Sequence, residues 1–294
     1  MRKNMFLYLI LLFVSPFAFG AKSNILQPKK SKLFRTYGIS ACLMCDTSNP
    51  KTRVSHLQDI YRMKRLLEAL AKSQNAPLRL HLIKGKNLNS RNIQKWARKT
   101  SRYFKSLLFI YYSGDEGPKQ PTPNEWPLLH IVNKKKPNNS KGLSVKGFFQ
   151  LLQKQSHQQS LTLCFFDCYD KVIPIDKGLH SFASPSYSFP SQKPRLFNYL
   201  FTLPQRTLVA VSKSQKSPAY GIKEGSLQGG LFSLLLADQI ARAEPPILWK
   251  DLLWGVQNQA ISFIPYKNRN DVLGQKVLFD TSSLLHPELQ KTPL

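Results

Sequence analysis

Two stretches of the sequence end in side chains that are capable of chemistry. The first is the apolar and aromatic run Leu107–Tyr112, followed by Ser113-Gly114-Asp115-Glu116-Gly117. The second is the run Leu161–Phe166, followed by Asp167-Cys168-Tyr169-Asp170. A cysteine supplies a nucleophilic thiol, and carboxylates supply acid–base groups or a site for a cationic ligand.

Both runs have the pattern of strands that are buried on two faces and end in a turn. Such strands belong to parallel α/β sheets, whose ligand sites lie beyond the carboxyl ends of the strands. The two turns are therefore predicted to lie side by side at one edge of a sheet, with Asp115 close to Cys168.

The two turns resemble motifs of the caspase-like and metacaspase cysteine peptidases. In that family one strand ends in Tyr-Ser-Gly-His-Gly, with the histidine as general base, and the next ends in Asp-Ala-Cys-x-Ser-Gly, with the cysteine as nucleophile. Tyr112-Ser113-Gly114 is retained here, and Cys168 falls at the nucleophile position. Asp115 stands at the histidine position, while Phe166-Asp167 and Asp170-Lys171 also depart from the family pattern.

The resemblance extends over nearly all of Leu33 to Asp280. Gln228-Gly229-Gly230-Leu231-Phe232-Ser233-Leu234 is similar to the family's Gly-x-Gly-x-Phe-Thr helix start, and Gln58-Asp59 is similar to its Asn-Asp helix start. This resemblance implies a three-layer, caspase-like α/β fold with a mostly parallel central sheet flanked by helices.

The order of the remaining elements agrees with an α/β domain. Further strands are predicted at Phe34–Leu43, Leu78–Ile83, Arg206–Ser212 and Gln275–Phe279, with a short hairpin or arm at Trp126–Val132. Helices are predicted at His56–Ala71, at Asn89–Lys99 with Asn89 or Ser90 as the cap, and at Trp249–Phe263.

An aspartate cannot replace the family's histidine as a base for the thiol. Its reference pKa lies about 4.6 units below that of cysteine, so proton transfer to Asp115 costs roughly 6 kcal/mol. The other histidines, including His56, lie outside the expected position, and a loop histidine such as His130 or His180 is the alternative base. We therefore expect a degenerate peptidase homologue that binds a peptide or protein ligand and needs no cofactor.

Two other functions stay open. One is an active cysteine endopeptidase that uses Cys168 with an atypical base. The other is a basic adaptor for the cell envelope or a polyanion, since 43 Lys and Arg against 16 Asp and Glu give a formal net charge of +27. The basic residues are dispersed and accompany no known nucleic-acid motif, which favours solvated surface lysines over a dedicated nucleic-acid binder.

Four of the 16 acids cluster at the predicted sheet edge: Asp115, Glu116, Asp167 and Asp170. They predict a site for a cationic ligand such as a Lys- or Arg-containing peptide. The alternative is that they cap turns and offset nearby lysines.

The four cysteines are Cys42, Cys45, Cys164 and Cys168. No second ligand pair completes a zinc site, so no metal is expected. A bond within Cys42-Leu43-Met44-Cys45, or from one of that pair to Cys168, is open to an exported chain.

The chain start has the pattern of a secretory signal. Residues 1–20 combine Arg2 and Lys3 with an apolar run and small residues before Ala21, which predicts cleavage and export to the periplasm or the exterior. A flexible basic leader at 21–32, a caspase-like domain at 33–282 with a Ser/Pro-rich loop at 174–205, and a tail at 283–294 are expected to follow. No transmembrane segment is expected after removal of the signal.

Overall fold

The computed structural model describes residues 38–100, 107–117, 127–132, 141–145, 147–148, 152, 161–169, 171–173, 200, 206–212, 220–222, 228–245, 247–263 and 278–280. They all belong to one compact unit, Ser31–Leu294. The predicted signal peptide, leader and tail, most of the Ser/Pro-rich loop, Asp170 and His180 lie outside the described residues.

Strands and helices alternate along most of the chain. The strands are β1 (Ile39–Cys45), β2 (Leu78–Lys84), β3 (Leu107–Gly114), β4 (Leu128–Ile131), β5 (Lys141–Ser144), β6 (Leu161–Cys168), β7 (Lys171–Ile173), β8 (Arg206–Val211), β9 (Tyr220–Ile222), β10 (Gly229–Gly230) and β11 (Leu278–Asp280). The helices are α1 (Arg53–Gln74), α2 (Ser90–Thr100), α3 (Leu231–Arg242) and α4 (Trp249–Phe263), with a 3-10 turn at Gly85–Asn87.

The central sheet has six strands in the order β11-β8-β6-β3-β1-β2. Five of them are parallel, and β11 runs antiparallel to β8 at one end. The pairs β4–β5 and β9–β10 are antiparallel, and β7 pairs with β9 in parallel. The predicted α/β fold with a mostly parallel central sheet is confirmed.

Apolar side chains cover both faces of this sheet. One face carries a core that includes Leu66 of α1, Leu235 of α3 and Leu252 of α4. The opposite face carries a second core that includes Trp96 of α2 and Phe166 of β6. Burial of the central strands on both faces explains why β3 and β6 have nearly continuous apolar sequences.

Most predicted elements form, with some shifted ends. Helix α4 has the predicted bounds, and α1 extends three residues beyond the predicted helix at each end. Of the two candidate caps of α2, Asn89 is the one that caps the helix, because its Oδ1 accepts the N–H of Asn92 at 3.1 Å. Strands β3 and β6 both run two residues further than predicted, as far as Gly114 and Cys168.

Neither of the two disulfides that the sequence left open is present, because all four cysteines are buried and free. Cys42 and Cys45 lie within β1, not in a loop, and their side chains enter the cores on opposite faces of the sheet. Cys45 is on the face opposite to Cys168. Cys42 is on the same face as Cys168 but is level with Cys164, which is two strand spacings, roughly 10 Å, away.

None of the described helices is both long enough and apolar enough to cross a bilayer.

Candidate functional site

The carboxyl ends of β3 and β6 lie side by side, as predicted. Ser113 is paired with Asp167 and Gly114 with Cys168 in a parallel register. The turn after β1 is also joined to the end of β3, because the N–H of Asp46 donates to the carbonyl oxygen of Ser113 at 2.9 Å. This edge of the sheet, with the start of α1, is the candidate site.

Cys168 lies at this edge, but its side chain is directed into the protein. It is the last residue of β6 and is 0% exposed, packed in the same core as Cys164 and Phe166. Strand periodicity places these three residues on one face. The backbone of Cys168 is also engaged, because its N–H donates to Ser212 Oγ at 2.9 Å and its carbonyl accepts from the same hydroxyl at 2.8 Å.

Asp115 serves as a hydrogen-bond acceptor for the start of α1. Its carboxylate accepts from Asn49 Nδ2 at 2.8 Å, Thr52 Oγ1 at 3.1 Å and His56 Nε2 at 3.2 Å. Burial alone would raise the pKa of Asp115, but the hydrogen bonds from His56 and Asn49 lower it below its ordinary value. The side chain is 25% exposed, and Cys168 is not among its hydrogen-bond partners in the described residues.

His56 is a site residue that the sequence analysis missed. It lies in the first turn of α1, is fully buried and packs against Tyr169 with ring centroids 4.7 Å apart. Its Nδ1 is 3.1 Å from Ser113 Oγ, and that hydroxyl donates to Asp59 Oδ2 at 2.8 Å. Because the Asp115 carboxylate only accepts, Nε2 of His56 donates to it, and Nδ1 lies within hydrogen-bond distance of the Ser113 hydroxyl.

Ser113, His56 and Asp115 have the residue types of a hydrolase triad, but they cannot act as one. Ser113 is completely buried, and its hydrogen is committed to Asp59. The arrangement instead links the partly exposed Asp115 to an acid in the core.

Asp59 is the centre of that buried network. Besides Ser113, it accepts from Arg62 Nη1 at 2.7 Å, Ser233 Oγ at 2.6 Å and the N–H of Gly230 at 3.0 Å. The network joins α1 to β3 and to the start of α3. A Cβ on Gly229 would collide with the Asp59 carboxylate, and Gly229 has φ +147, so glycine is required on both grounds.

Asp167 belongs to the same core and does not reach the surface. Its Oδ2 accepts from Tyr111 OH at 3.3 Å and from the N–H of Ser233 at 3.0 Å, whereas its buried Oδ1 has no hydrogen-bond partner. Burial first, and then the charge of Asp59, raise the pKa of Asp167 well above its ordinary value. Burial therefore favours the neutral form of this carboxyl, which lies out of reach of a ligand at the edge.

A second histidine, His130 of β4, lies at the same edge. Its Nδ1 is 2.7 Å from Asp46 Oδ2, and Asp46 Oδ1 accepts from the N–H and hydroxyl of Ser48. The hydrogen bond to Asp46 raises the pKa of His130. Burial would raise the pKa of Asp46, but the bonds from His130 and Ser48 lower it.

The side chain of Tyr112 is buried in the core, and its hydroxyl joins the backbone of β4 to the residue that follows β3. Its hydroxyl oxygen accepts the N–H of His130 at 3.0 Å, and its one hydrogen is shared between the carbonyl oxygens of Asp115 at 2.8 Å and His130 at 3.2 Å. Burial raises the pKa of Tyr112. Neither His130 nor His56 has Cys168 among its hydrogen-bond partners in the described part of the chain.

Glu116 follows Asp115 and is half-buried, in an isolated antiparallel bridge with Leu129. The structure thus places Asp115 and Glu116 at the edge, Asp167 in the core and Asp170 outside the described residues. Within the described ranges, no three or more His, Cys, Asp or Glu side chains are grouped so that they could hold a metal ion.

No family model matches this chain, and no curated protein matches it. Among solved structures, it is similar to protein GSU0716 from Geobacter sulfurreducens, with a TM-score of 0.48 and 11% identity over 83% of this chain and 93% of that chain. A likeness at this level carries no conclusion about function.

Proposed function

We propose that this chain is an exported, caspase-like protein whose peptidase site is degenerate and which acts by binding a peptide or protein. The observation that carries the proposal is the burial of Cys168. A cysteine nucleophile has to reach the scissile carbonyl as a thiolate, and a side chain with 0% exposure in an apolar core cannot do so.

The fate of the histidine position supports the same proposal. The Asp115 carboxylate accepts hydrogen bonds from Asn49 and Thr52, which precede α1, and from His56 in the first turn of α1. A carboxylate with a lowered pKa is a poorer base than a free aspartate, so the roughly 6 kcal/mol cost of deprotonating a thiol can only increase. The family's histidine position therefore carries a hydrogen-bonded carboxylate that stabilises the start of α1 and does not serve as a base for the Cys168 thiol.

Thiol labelling and turnover test the loss of catalysis. We expect iodoacetamide at neutral pH to leave Cys168 unmodified in the native protein and to modify all four cysteines in guanidinium. We also expect no cleavage of a mixed peptide library. Native labelling of Cys168 together with turnover that disappears in Cys168→Ala would show instead an active cysteine endopeptidase, with His56 or His130 as the atypical base.

The ligand that fits this edge is a cationic peptide. Among the described acids at this edge, Asp115 and Glu116 are partly accessible. We expect an arginine-containing peptide to bind, and its affinity to fall in Asp115→Asn and Glu116→Gln. The matched control is Glu68→Gln, which removes an acid that is 51% exposed on α1, away from the edge. Equal loss in the control would reject the assignment of the site.

The formal charge of +27 supports a polyanion as a further partner. Retention on DNA or on anionic vesicles that falls steeply with salt, with no binding of the cationic peptide, would favour the basic adaptor over the peptide-binding protein. Export is tested by intact mass, which should show a mature chain that begins at or near Ala21.

A further inference from the structure

The outer edge of β2 is an interaction surface on a different part of the molecule. β2 is the terminal strand of the six-stranded sheet, and in the described part of the chain it pairs only with β1. Its seven residues make an edge of about 23 Å. Alternate N–H and C=O groups along such an edge are directed away from the sheet and are able to pair with another strand.

Two leucines on this strand are unusually exposed. Leu80 and Leu82 are 36% and 45% exposed. They are paired with Ala41 and Leu43 of β1, which belong to the core beneath α1. The apolar row of the core therefore continues onto β2, where it remains partly uncovered. A partner that covered these leucines would gain apolar burial as well as backbone hydrogen bonds.

The opposite face of β2 carries one cation, Arg79, and lies close to a second, Lys99 of α2. Arg79 and His81 alternate with the leucines and are exposed. Lys99 of α2 lies close enough that its charge, after burial, contributes to lowering the pKa of His81. Cations on an edge strand repel basic strands, including a second copy of this strongly basic chain, and attract acidic ones.

We propose that the outer edge of β2 binds an extended segment of an acidic partner protein, whose side chains alternate between apolar and acidic, as an additional strand of the sheet. The apolar side chains of that segment cover Leu80 and Leu82, while the acidic ones face Arg79 and Lys99. This site does not depend on the reactivity of Cys168 or on the ligand at the carboxyl edge.

The probe is a labelled peptide of alternating valine and glutamate, added to the full chain and followed by fluorescence anisotropy. We expect it to bind, and to bind about tenfold or more weakly to Leu82→Lys, which loses apolar contact area at the edge. The matched control, Leu248→Lys, changes a leucine that is 57% exposed elsewhere and should bind as the unmodified protein does. A peptide with N-methyl groups on alternate amides should not bind, because it lacks the donors of one strand edge.

Hydrogen exchange on the unmodified protein gives a test that does not depend on a variant. Addition of the valine–glutamate peptide should protect amides within Leu78–Lys84. The proposal would be overturned if the peptide did not bind, or if the protected amides lay outside β2. It would also be overturned by equal binding of a valine–lysine peptide, or by an equal loss of affinity in Leu248→Lys. A dimer of the unmodified protein that dissociates in Leu82→Lys would also overturn it, because a second copy would then occupy the edge.

Discussion

Asp167 carries a testable consequence for stability, because burial in the core favours the neutral form of its carboxyl. Burial and the charge of Asp59 raise its pKa in the folded protein well above the unfolded value of about 3.9. Arg62 and the hydrogen bonds from Ser233 and Tyr111 oppose this shift without cancelling it. The folded state therefore keeps a proton that the unfolded chain loses as the pH rises above about 4.

The sign of the effect follows from that proton. Its stabilising contribution is complete below the unfolded pKa, and stability then falls as pH rises until the folded pKa is reached. The slope for one proton is about 1.4 kcal/mol per pH unit. The substitution Asp167→Asn removes the titration, so the variant should gain about 1.4 kcal/mol on the unmodified protein for each pH unit in that window.

The substitution also has a cost that does not depend on pH. The variant amide can place its oxygen where Oδ2 accepts from Ser233 and Tyr111, but its NH₂ group then occupies the position of the unpartnered Oδ1. This costs about 1–3 kcal/mol at every pH. The slope, not the absolute stability, is therefore diagnostic.

Guanidinium unfolding between pH 4.5 and 7, followed by tryptophan fluorescence, measures the free energy of unfolding of both proteins. Asp251→Asn, which changes an exposed acid of α4, controls for net charge. If the unmodified protein and Asp167→Asn show the same dependence on pH, Asp167 is not a buried neutral acid and the reasoning is refuted.

Three other predictions concern neighbouring parts of the network. Asp59→Ala should lower the free energy of unfolding by about 3–5 kcal/mol, because it leaves the buried Arg62 without its acid; a loss below about 1 kcal/mol in guanidinium unfolding would contradict this. Asp46→Asn should lower the pKa of His130 in an NMR titration, since the hydrogen bond to Asp46 raises that pKa. The unmodified protein should lose stability as pH rises through the pKa of His130, and the variant should lose less; an unchanged His130 titration would contradict the assigned pair. Ser212→Ala should cost about 1–3 kcal/mol and speed alkylation of Cys168, because its hydroxyl bonds to both backbone groups of that residue, whereas alkylation at the unmodified rate would mean that Ser212 does not help to close the site.

The sequence by itself determined the order of the central elements. The apolar runs of β3 and β6 are long enough to require burial on both faces, which makes them neighbouring interior strands of a parallel sheet. The helical stripe of α1 and the bounds of α4 follow from local periodicity. The sequence also indicated helix starts at Gln58-Asp59 and at Gly229-Gly230. It did not show that the N–H of Gly230 donates to the Asp59 carboxylate.

Only the tertiary structure decided what the candidate residues do. The side chain of Cys168 enters the core because β6 continues through it, and the alternating direction of side chains then assigns it to the face of Phe166. A prediction that ended the strand at Phe166 left that direction undetermined. Asp167, one residue earlier, is assigned to the other face by the same alternation, under the start of α3.

The pairing of Asp115 with His56 was also beyond the sequence. The two residues are 59 positions apart, and they meet because the first turn of α1 packs beside the carboxyl end of β3. Local patterns report which face of an element is apolar, whereas a hydrogen bond between elements depends on their relative position to within a fraction of an ångström. That position is set by the packing of two whole cores, so the chemistry of this edge became visible only when the elements were assembled.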